Sequence, residues 1–379
     1  MSKLTQQDLE LLRDSAARFF DERSPISALR KLRDNQHEAG FDRELWNAMS
    51  ALGWAGVLID EENGGVDFGY AALGVILEES GRTLAASPLI SSVLTGAPLV
   101  ASGGDSTQRE ATLPGVASGN LLIALAHEES SRHAPYSIAT RAVENDDGYR
   151  LQGRKTFVLD GHVADRLIVV ARTDGQGDDP KGISLFLVDA QQPGITTNRT
   201  TMVDGRNAAT IDFNGAEVPA NTIVGHAGRG AEILDPILDG ARAGIAAEML
   251  GAGQAAFDLT IEYLKIREQF GTPIGSFQAL KHRAAEIYCE IELARSAIYA
   301  ALEAIDDKAA DTAELVCVAK AKACDMIELV SDEAVQMHGG IGMTDAADVG
   351  LFLKRARVTQ QIFGDVIFHR QRFADLTGL

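Results

Sequence analysis

Residues 245–291 read IAAEMLGAGQAAFDLTIEYLKIREQFGTPIGSFQALKHRAAEIYCEI. Ile245, Met249, Gly253, Phe257 and Ile261 fall on one stripe, and Phe277, Leu280, Ala284, Ile287 and Ile291 on another. This is the spacing at which side chains share one face of a helix. Between the stripes, Phe270-Gly271-Thr272-Pro273-Ile274-Gly275 carries the glycines and proline that stop one helix before the next starts. The stretch predicts two long antiparallel helices joined by a turn, within a helical region that runs from Gly228 to the C-terminus.

Upstream of this stretch the period changes. Tyr149-Arg150-Leu151, Arg166 to Val170, Ile183 to Val188 and Thr210 to Phe213 are short β-rich runs. They are separated by turn signals at Asn145-Asp146-Asp147-Gly148 and from Gly175 to Pro180. Further upstream, Leu9, Leu12 and Ala16, then Leu45, Met49 and Leu52, then Leu73, Ile76 and Leu77 return to helical spacing, interrupted by Glu62-Asn63-Gly64-Gly65. The order helical, β, helical, with no internal repeat, predicts an α+β chain. Its expected parts are an N-terminal helical domain at 1–121, a central β-barrel-like domain at 122–228 and a C-terminal four-helix bundle at 229–379.

Composition narrows the function classes. The chain has 379 residues, 45% of them hydrophobic, enough for two or three packed subdomains. Lys plus Arg number 35 against 54 Asp plus Glu, a formal charge of -19, which argues against nucleic acid or an anionic membrane surface as the main partner. A local pocket for an anionic cofactor stays open, since a few arginines and helix N-termini suffice. No segment reaches the ~20 apolar residues of a membrane span and the N-terminus lacks a signal-peptide core, so a cytoplasmic protein is expected. Cys289, Cys317 and Cys324 have no CxxC spacing and no histidine cluster around them. Neither a disulfide framework nor a metal site is expected, and Cys317 and Cys324 read as buried small residues on one helix face.

Arg267-Glu268-Gln269-Phe270-Gly271-Thr272-Pro273-Ile274, followed by Phe277-Gln278 and His282, resembles the signature of the acyl-CoA dehydrogenase superfamily. Gln336-Met337-His338-Gly339-Gly340-Ile341-Gly342 is similar to that family's glycine turn, and Phe41-Asp42 through Trp54 with Gly64-Gly65 resembles its N-terminal domain. The resemblance implies two helical domains around a β-barrel, a homo- or heterotetramer, FAD as cofactor, acyl-CoA as substrate and an electron-transferring flavoprotein as redox partner. It also implies that Arg267, Gln269, Phe270, Gln336, Gly339 and Gly340 hold FAD across a subunit interface. These residue types have the right chemistry, because a guanidinium forks onto a diphosphate, an aromatic ring stacks on adenine, and glycines admit a close backbone.

The sequence departs from the family where a proton must be taken. The usual glutamate of an aromatic-Glu-Gly-Thr stretch falls on Phe363, before Gly364 and Asp365; the alternative position, thirty residues before Gly271, is Ala241, followed by Arg242, a candidate for substrate contact. Neither phenylalanine nor alanine accepts a proton, which leaves Asp365 as the nearest carboxylate, with helix capping its bland alternative. On the flavin-facing side, the family's Thr-Glu-Pro and Gly-Ser segment becomes His127-Glu128-Glu129-Ser130-Ser131-Arg132-His133, and Trp-x-Thr becomes Phe157-Val158-Leu159, which keeps a ring and loses a hydroxyl.

The retained elements are those one subunit lends to its neighbour's FAD, and the eroded ones are those it would use itself. The resemblance is therefore to the small, base-lacking subunit of bacterial heteromeric acyl-CoA dehydrogenases. Two other readings compete: a self-sufficient flavoenzyme with altered, monooxygenase- or desulfinase-like chemistry using Asp365, His127, His133 or His369, and a non-catalytic structural or regulatory subunit.

Overall fold

Side-chain caps open the first helices of the computed structural model, which describes residues 4–379. The Thr5 hydroxyl accepts from the Asp8 N–H at 3.2 Å while the Asp8 carboxylate accepts from the Thr5 N–H at 2.9 Å, a reciprocal cap on α1 (Gln6–Arg23). After α2 (Ile26–Asp34), Asp42 caps α3 (Arg43–Ala51). The Glu62-to-Gly65 break is a short 3-10 turn ending on Gly64 at φ +85°. Then follow α4 (Gly69–Arg82), a buried π-helical turn over Leu89–Gly96, α5 (Ala97–Gly103) and α6 (Ser106–Ala117).

The strands are β1 (Ile123–Ala126), β2 (Arg141–Asn145), β3 (Gly148–Leu159), β4 (Arg166–Arg172), β5 (Ile183–Asp189), β6 (Ile195–Thr201), β7 (Asn207–Pro219) and β8 (Ile223–Val224). All four predicted β-rich runs lie inside them. The C-terminal elements are α7 (Ala231–Ile266), β9 (Glu268–Gln269), β10 (Thr272–Pro273), α8 (Gln278–Asp307), α9 (Thr312–His338), α10 (Val349–Gln361) and α11 (Val366–Thr377). The expected order of helical, β and helical parts is borne out. No helix among the described residues is long and apolar enough to cross a membrane.

Contacts divide the chain into two compact units. One holds residues 32–69 and 86–241 and contains the sheet, ordered β6-β7-β3-β2-β4-β5-β8 with β1 parallel to β4. Its interior is filled by Leu151, Val158, Leu167, Val169, Phe186, Val188, Ile211 and Phe213. β3 and β7 pair from Gly148↔Pro219 to Leu159↔Ala208 with register shifts at Leu151/Gln152 and Lys155/Val158. The second shift leaves Thr156 and Phe157 outside the ladder, the kind of bulge that re-aims a side chain. The π-helical turn is tied to β1 through the Ser92 hydroxyl, which donates to the Ile123 carbonyl at 3.1 Å and accepts from the Ile123 N–H at 3.0 Å.

The other unit holds the residues up to Lys31, 70–85 and 242–379. Here α7 is buried on every side from Arg242 to Gly253 and meets α4 through glycine: a Cβ at Gly251 would lie 1.7 Å from the Glu78 carbonyl oxygen. Glu78, 3% exposed, gathers α1, α4 and α8: its carboxylate accepts from Arg13 Nη1 at 2.8 Å and Arg295 Nη1 at 2.5 Å, and from the Tyr299 hydroxyl. Glu248 on α7 accepts a bidentate pair from Arg355 on α10, at 2.8 and 3.0 Å. Cys317 and Cys324 lie buried on α9, as expected.

Candidate functional site

In the helical unit, α7 ends in a hairpin whose register pairs Gln269 with Thr272 and Glu268 with Pro273. Phe270 and Gly271 form its two-residue loop at φ +56° and +76°. Positive φ at both central positions defines a type I′ turn. Phenylalanine is a poor occupant of such a position, yet its ring is 93% exposed. Arg267 and Gln269 are exposed beside it, and the Arg267 carbonyl accepts from the Ile274 N–H at 2.8 Å to close the loop.

A second motif meets the first here. Tyr263, one turn before Arg267, stacks on His338 with ring centroids 4.3 Å apart and planes 20° from parallel. His338 directly precedes Gly339, and the neighbouring pair Arg283–Glu333 ties α8 to α9. Gln336, Gly339 and Gly340 are exposed, and a Cβ added to either glycine would meet nothing within 4 Å. The structure thus brings the end of α7 and the end of α9 to one place, leaving open space over two adjacent glycines.

The two positions where a base is usual carry none. Ala241 is fully buried. Phe363, at φ +58°, heads a turn held from three directions. Arg242 Nε donates to the Phe363 carbonyl at 3.3 Å, and the buried His369 donates to the same oxygen through Nε2 at 3.2 Å. Lys320, fully buried, donates to the carbonyls of Thr359, Gln360 and Gly364 at 3.2, 3.3 and 2.9 Å. Burial pushes the Lys320 ammonium below its usual range. Asp365 caps α11, its Oδ1 accepting from the Phe368 N–H at 2.8 Å. A carboxylate fixed on a helix N-terminus suits capping rather than proton abstraction, so the bland alternative describes Asp365. The Arg242 guanidinium lies 5.3 Å from the Phe368 ring centroid and is 2% exposed, which makes it a support of this turn.

In the sheet unit, Phe157 sits at φ +54° in the β3 bulge. Three of the phenylalanines singled out in the sequence, 157, 270 and 363, therefore share the left-handed region, where bulky residues are outliers that cluster at functional sites. The segment after β1 is organised by two pairs. Lys155, fully buried on β3, donates to Glu129 Oε1 at 2.6 Å and to the His127 carbonyl at 3.0 Å. Burial lowers the Lys155 pKa to about 8 against the pull of Glu129. His133 Nδ1 donates to Glu128 Oε1 at 2.5 Å, and His127 Nε2 donates to the Pro135 carbonyl at 2.9 Å. Burial alone would raise the Glu128 pKa, but the His133 hydrogen bond and the charges of His127, His133 and Lys155 outweigh it and hold the carboxyl at about 2.

Comparison with known proteins decides the family. Residues 6–120, 124–215 and 228–375 match the N-terminal, middle and C-terminal domains of acyl-CoA dehydrogenase. The short-chain specific acyl-CoA dehydrogenase of Megasphaera elsdenii is 33% identical over 86% of this chain and 88% of its own length. The chain belongs to the acyl-CoA dehydrogenase family. It is an oxidoreductase of that family, with the family's fold and its flavoprotein character. Among solved structures, the Tcur3481-Tcur3483 steroid ACAD superposes with a TM-score of 0.87 at 32% identity, covering 98% of both chains. The ChsE4-ChsE5 complex from Mycobacterium tuberculosis gives 0.89 at 27% identity over 100% of this chain and 99% of that one.

Sequence reading missed three parts of this acyl-CoA dehydrogenase-family chain. Lys155 could have been found, because strand alternation places it on the inward face with Leu151, where an ammonium needs a partner. The Glu128–His133 pair spans five residues of irregular loop and had no periodic signal. Arg172 reads as an ordinary strand-end cation, yet it is fully buried and donates to the carbonyls of Tyr136, Ile138, Gly177, Asp179 and Lys181, pinning the loops on either side.

Proposed function

We propose that this chain serves the FAD-dependent α,β-dehydrogenation of an acyl-CoA thioester as one subunit of a heteromeric acyl-CoA dehydrogenase whose partner supplies the base. One observation carries the reading: a phenylalanine 93% exposed on a strained turn, beside open glycines, coexists with Phe363 and Ala241 at the base positions. A solvated ring in an unfavourable backbone conformation makes sense as a group offered to something outside its own subunit. A lost base costs typically ~10²- to 10⁴-fold in rate, so an acid from another chain is needed for ordinary turnover.

The residues fit the cofactor. Arg267 would hold the diphosphate, Phe270 would lie on the adenine, Gln269 and Gln336 would offer amide contacts, and Gly339 and Gly340 would admit close approach. Separately, within the sheet unit, Phe157 is a candidate to offer its ring to a flavin. The chemistry that bound FAD supplies is acceptance of a hydride from the acyl β-carbon. The turn from Thr359 to Gly364, pinned by Lys320, Arg242 and His369, keeps the scaffold for a catalytic residue without that residue. Kinship supports a tetrameric assembly and an electron-transferring flavoprotein as acceptor, and the ChsE4-ChsE5 structure is itself of a complex.

The test is to purify this chain alone and after co-expression with a base-bearing acyl-CoA dehydrogenase subunit, then to measure flavin content and turnover with an artificial electron acceptor. The proposal expects flavin and activity to appear only in the co-purified complex. Full FAD occupancy with turnover in the isolated chain would overturn it, and so would a partner that reaches full rate alone.

A further inference from the structure

The segment from His127 to His133 replaces the family's flavin-facing motif, and its side chains converge. The imidazoles of His127 and His133 are each 3% exposed, and the Glu128 side chain 18%. One ligand atom from each of the three lies within 4.8 Å of the others. Four-coordinate ions with ligands at about 2.0–2.2 Å need them about 3.4 Å apart, so an ion here would open the 2.5 Å His133–Glu128 contact and draw in the wider separations, which reach no more than 4.8 Å.

Charge and tautomer both prepare it. Lys155 donates to Glu129, while the ring nitrogens of His127 and His133 stand beside Glu128 Oε1. His127 Nε2 must donate to reach the Pro135 carbonyl, so in the neutral ring the lone pair is on Nδ1, which stands 3.7 Å from Glu128 Oε1. A ligating histidine whose other nitrogen donates to a backbone carbonyl is the usual outer-shell arrangement of protein metal sites.

We propose that His127, Glu128 and His133 form a binding site for a zinc-like divalent transition ion, with a fourth position open. Two imidazoles and one carboxylate suit zinc, cobalt or nickel; magnesium and calcium prefer oxygen-only sets, and no thiolate is present to favour a softer ion. Uptake is an exchange starting from the His133 imidazolium: the ion enters, the Nδ1 proton held against Glu128 Oε1 leaves to water, Nε2 keeps its own proton, and the neutral ring ligates through Nδ1 beside His127 and Glu128 in place of that hydrogen bond. The three cysteines pointed away from any metal site because this one uses none of them. All three residues lie within the unit that contains the sheet.

The experiment uses the full chain, with any flavin or partner left in place, after dialysis against a chelator. Cobalt(II) is titrated while visible absorption is recorded, then displaced with zinc. The expected result is one cobalt per chain with absorption typical of four-coordination, and affinity at least about tenfold weaker in His133→Ala and in the isosteric Glu128→Gln, with folding checked by circular dichroism. The exposed His226→Ala control retains wild-type binding. No stoichiometric cobalt in the wild type, or unchanged affinity in both Glu128→Gln and His133→Ala, overturns the proposal.

Discussion

Phe157, Phe270 and Phe363 each hold a backbone conformation that a Cβ disfavours, at a cost of roughly 1–2 kcal/mol per residue. A globular protein with a few kcal/mol to spare keeps such residues where another requirement fixes them. At Phe270 packing within its own unit amounts to an edge-on contact with the Phe277 ring, and the residue is 93% exposed. Phe270→Asn puts a residue suited to a type I′ turn in its place. It is expected to raise unfolding stability by about 1 kcal/mol in urea titrations while lowering the flavin retained by the complex; stability and flavin both unchanged would contradict this. Gly340→Ala separates the same two roles, since its methyl meets nothing. Stability should stay within about 0.5 kcal/mol, and flavin-to-protein ratio should fall; retention at the wild-type ratio would count against cofactor contact there. The identities of these residues were legible in the sequence from their motifs, whereas their backbone strain was not, since φ depends on the turn they close. Asp365 was equally visible, but only the helix that starts behind it reveals that its carboxylate is a cap.

Among elements, α1, α4 and α8 are joined at Glu78. Burial would raise its pKa, but Arg13, Tyr299 and Arg295 outweigh burial and hold it below the usual 4.5. A depressed carboxyl contributes stability that is present above pH 4.5 and is lost as pH falls toward the depressed value. The adjacent Glu79 runs the other way: burial and the Glu78 charge raise it against Arg82 and Arg13, so its contribution is lost as pH rises through its own range. Glu78→Gln is expected to cost about 3–5 kcal/mol at pH 7, because the arginines lose a buried countercharge. It should also flatten the loss of stability below pH 4.5, read as urea midpoints against pH; an acid limb as steep as the wild type's would contradict the assignment. Element legibility followed burial. Strands with apolar runs, such as β4 and β5, were read directly, while β6, with sequence ITTNRTT, is exposed along nearly its whole length and carries no alternation to detect. The helices α7 and α8 were legible because their stripes are long and their junction holds Gly271, Pro273 and Gly275.

At the scale of the whole molecule, a formal charge of -19 says little about the pocket, where a few positioned groups decide what binds. The α+β layout followed from the change of period along the chain. The residues proposed as half of a shared cofactor site were read from their identities at separate motifs, and the structure adds that the ends of α7 and α9 come together through Tyr263 and His338. In the function proposed above, this chain reaches out to hold a cofactor seated mainly in another polypeptide. The direct measurement is the flavin-to-complex ratio of co-purified heteromer carrying Arg267→Ala and Phe270→Ala in this chain alone, with the partner unaltered. The heteromer is expected still to assemble and to lose most of its FAD; full FAD in that complex would contradict the proposed role of Arg267 and Phe270.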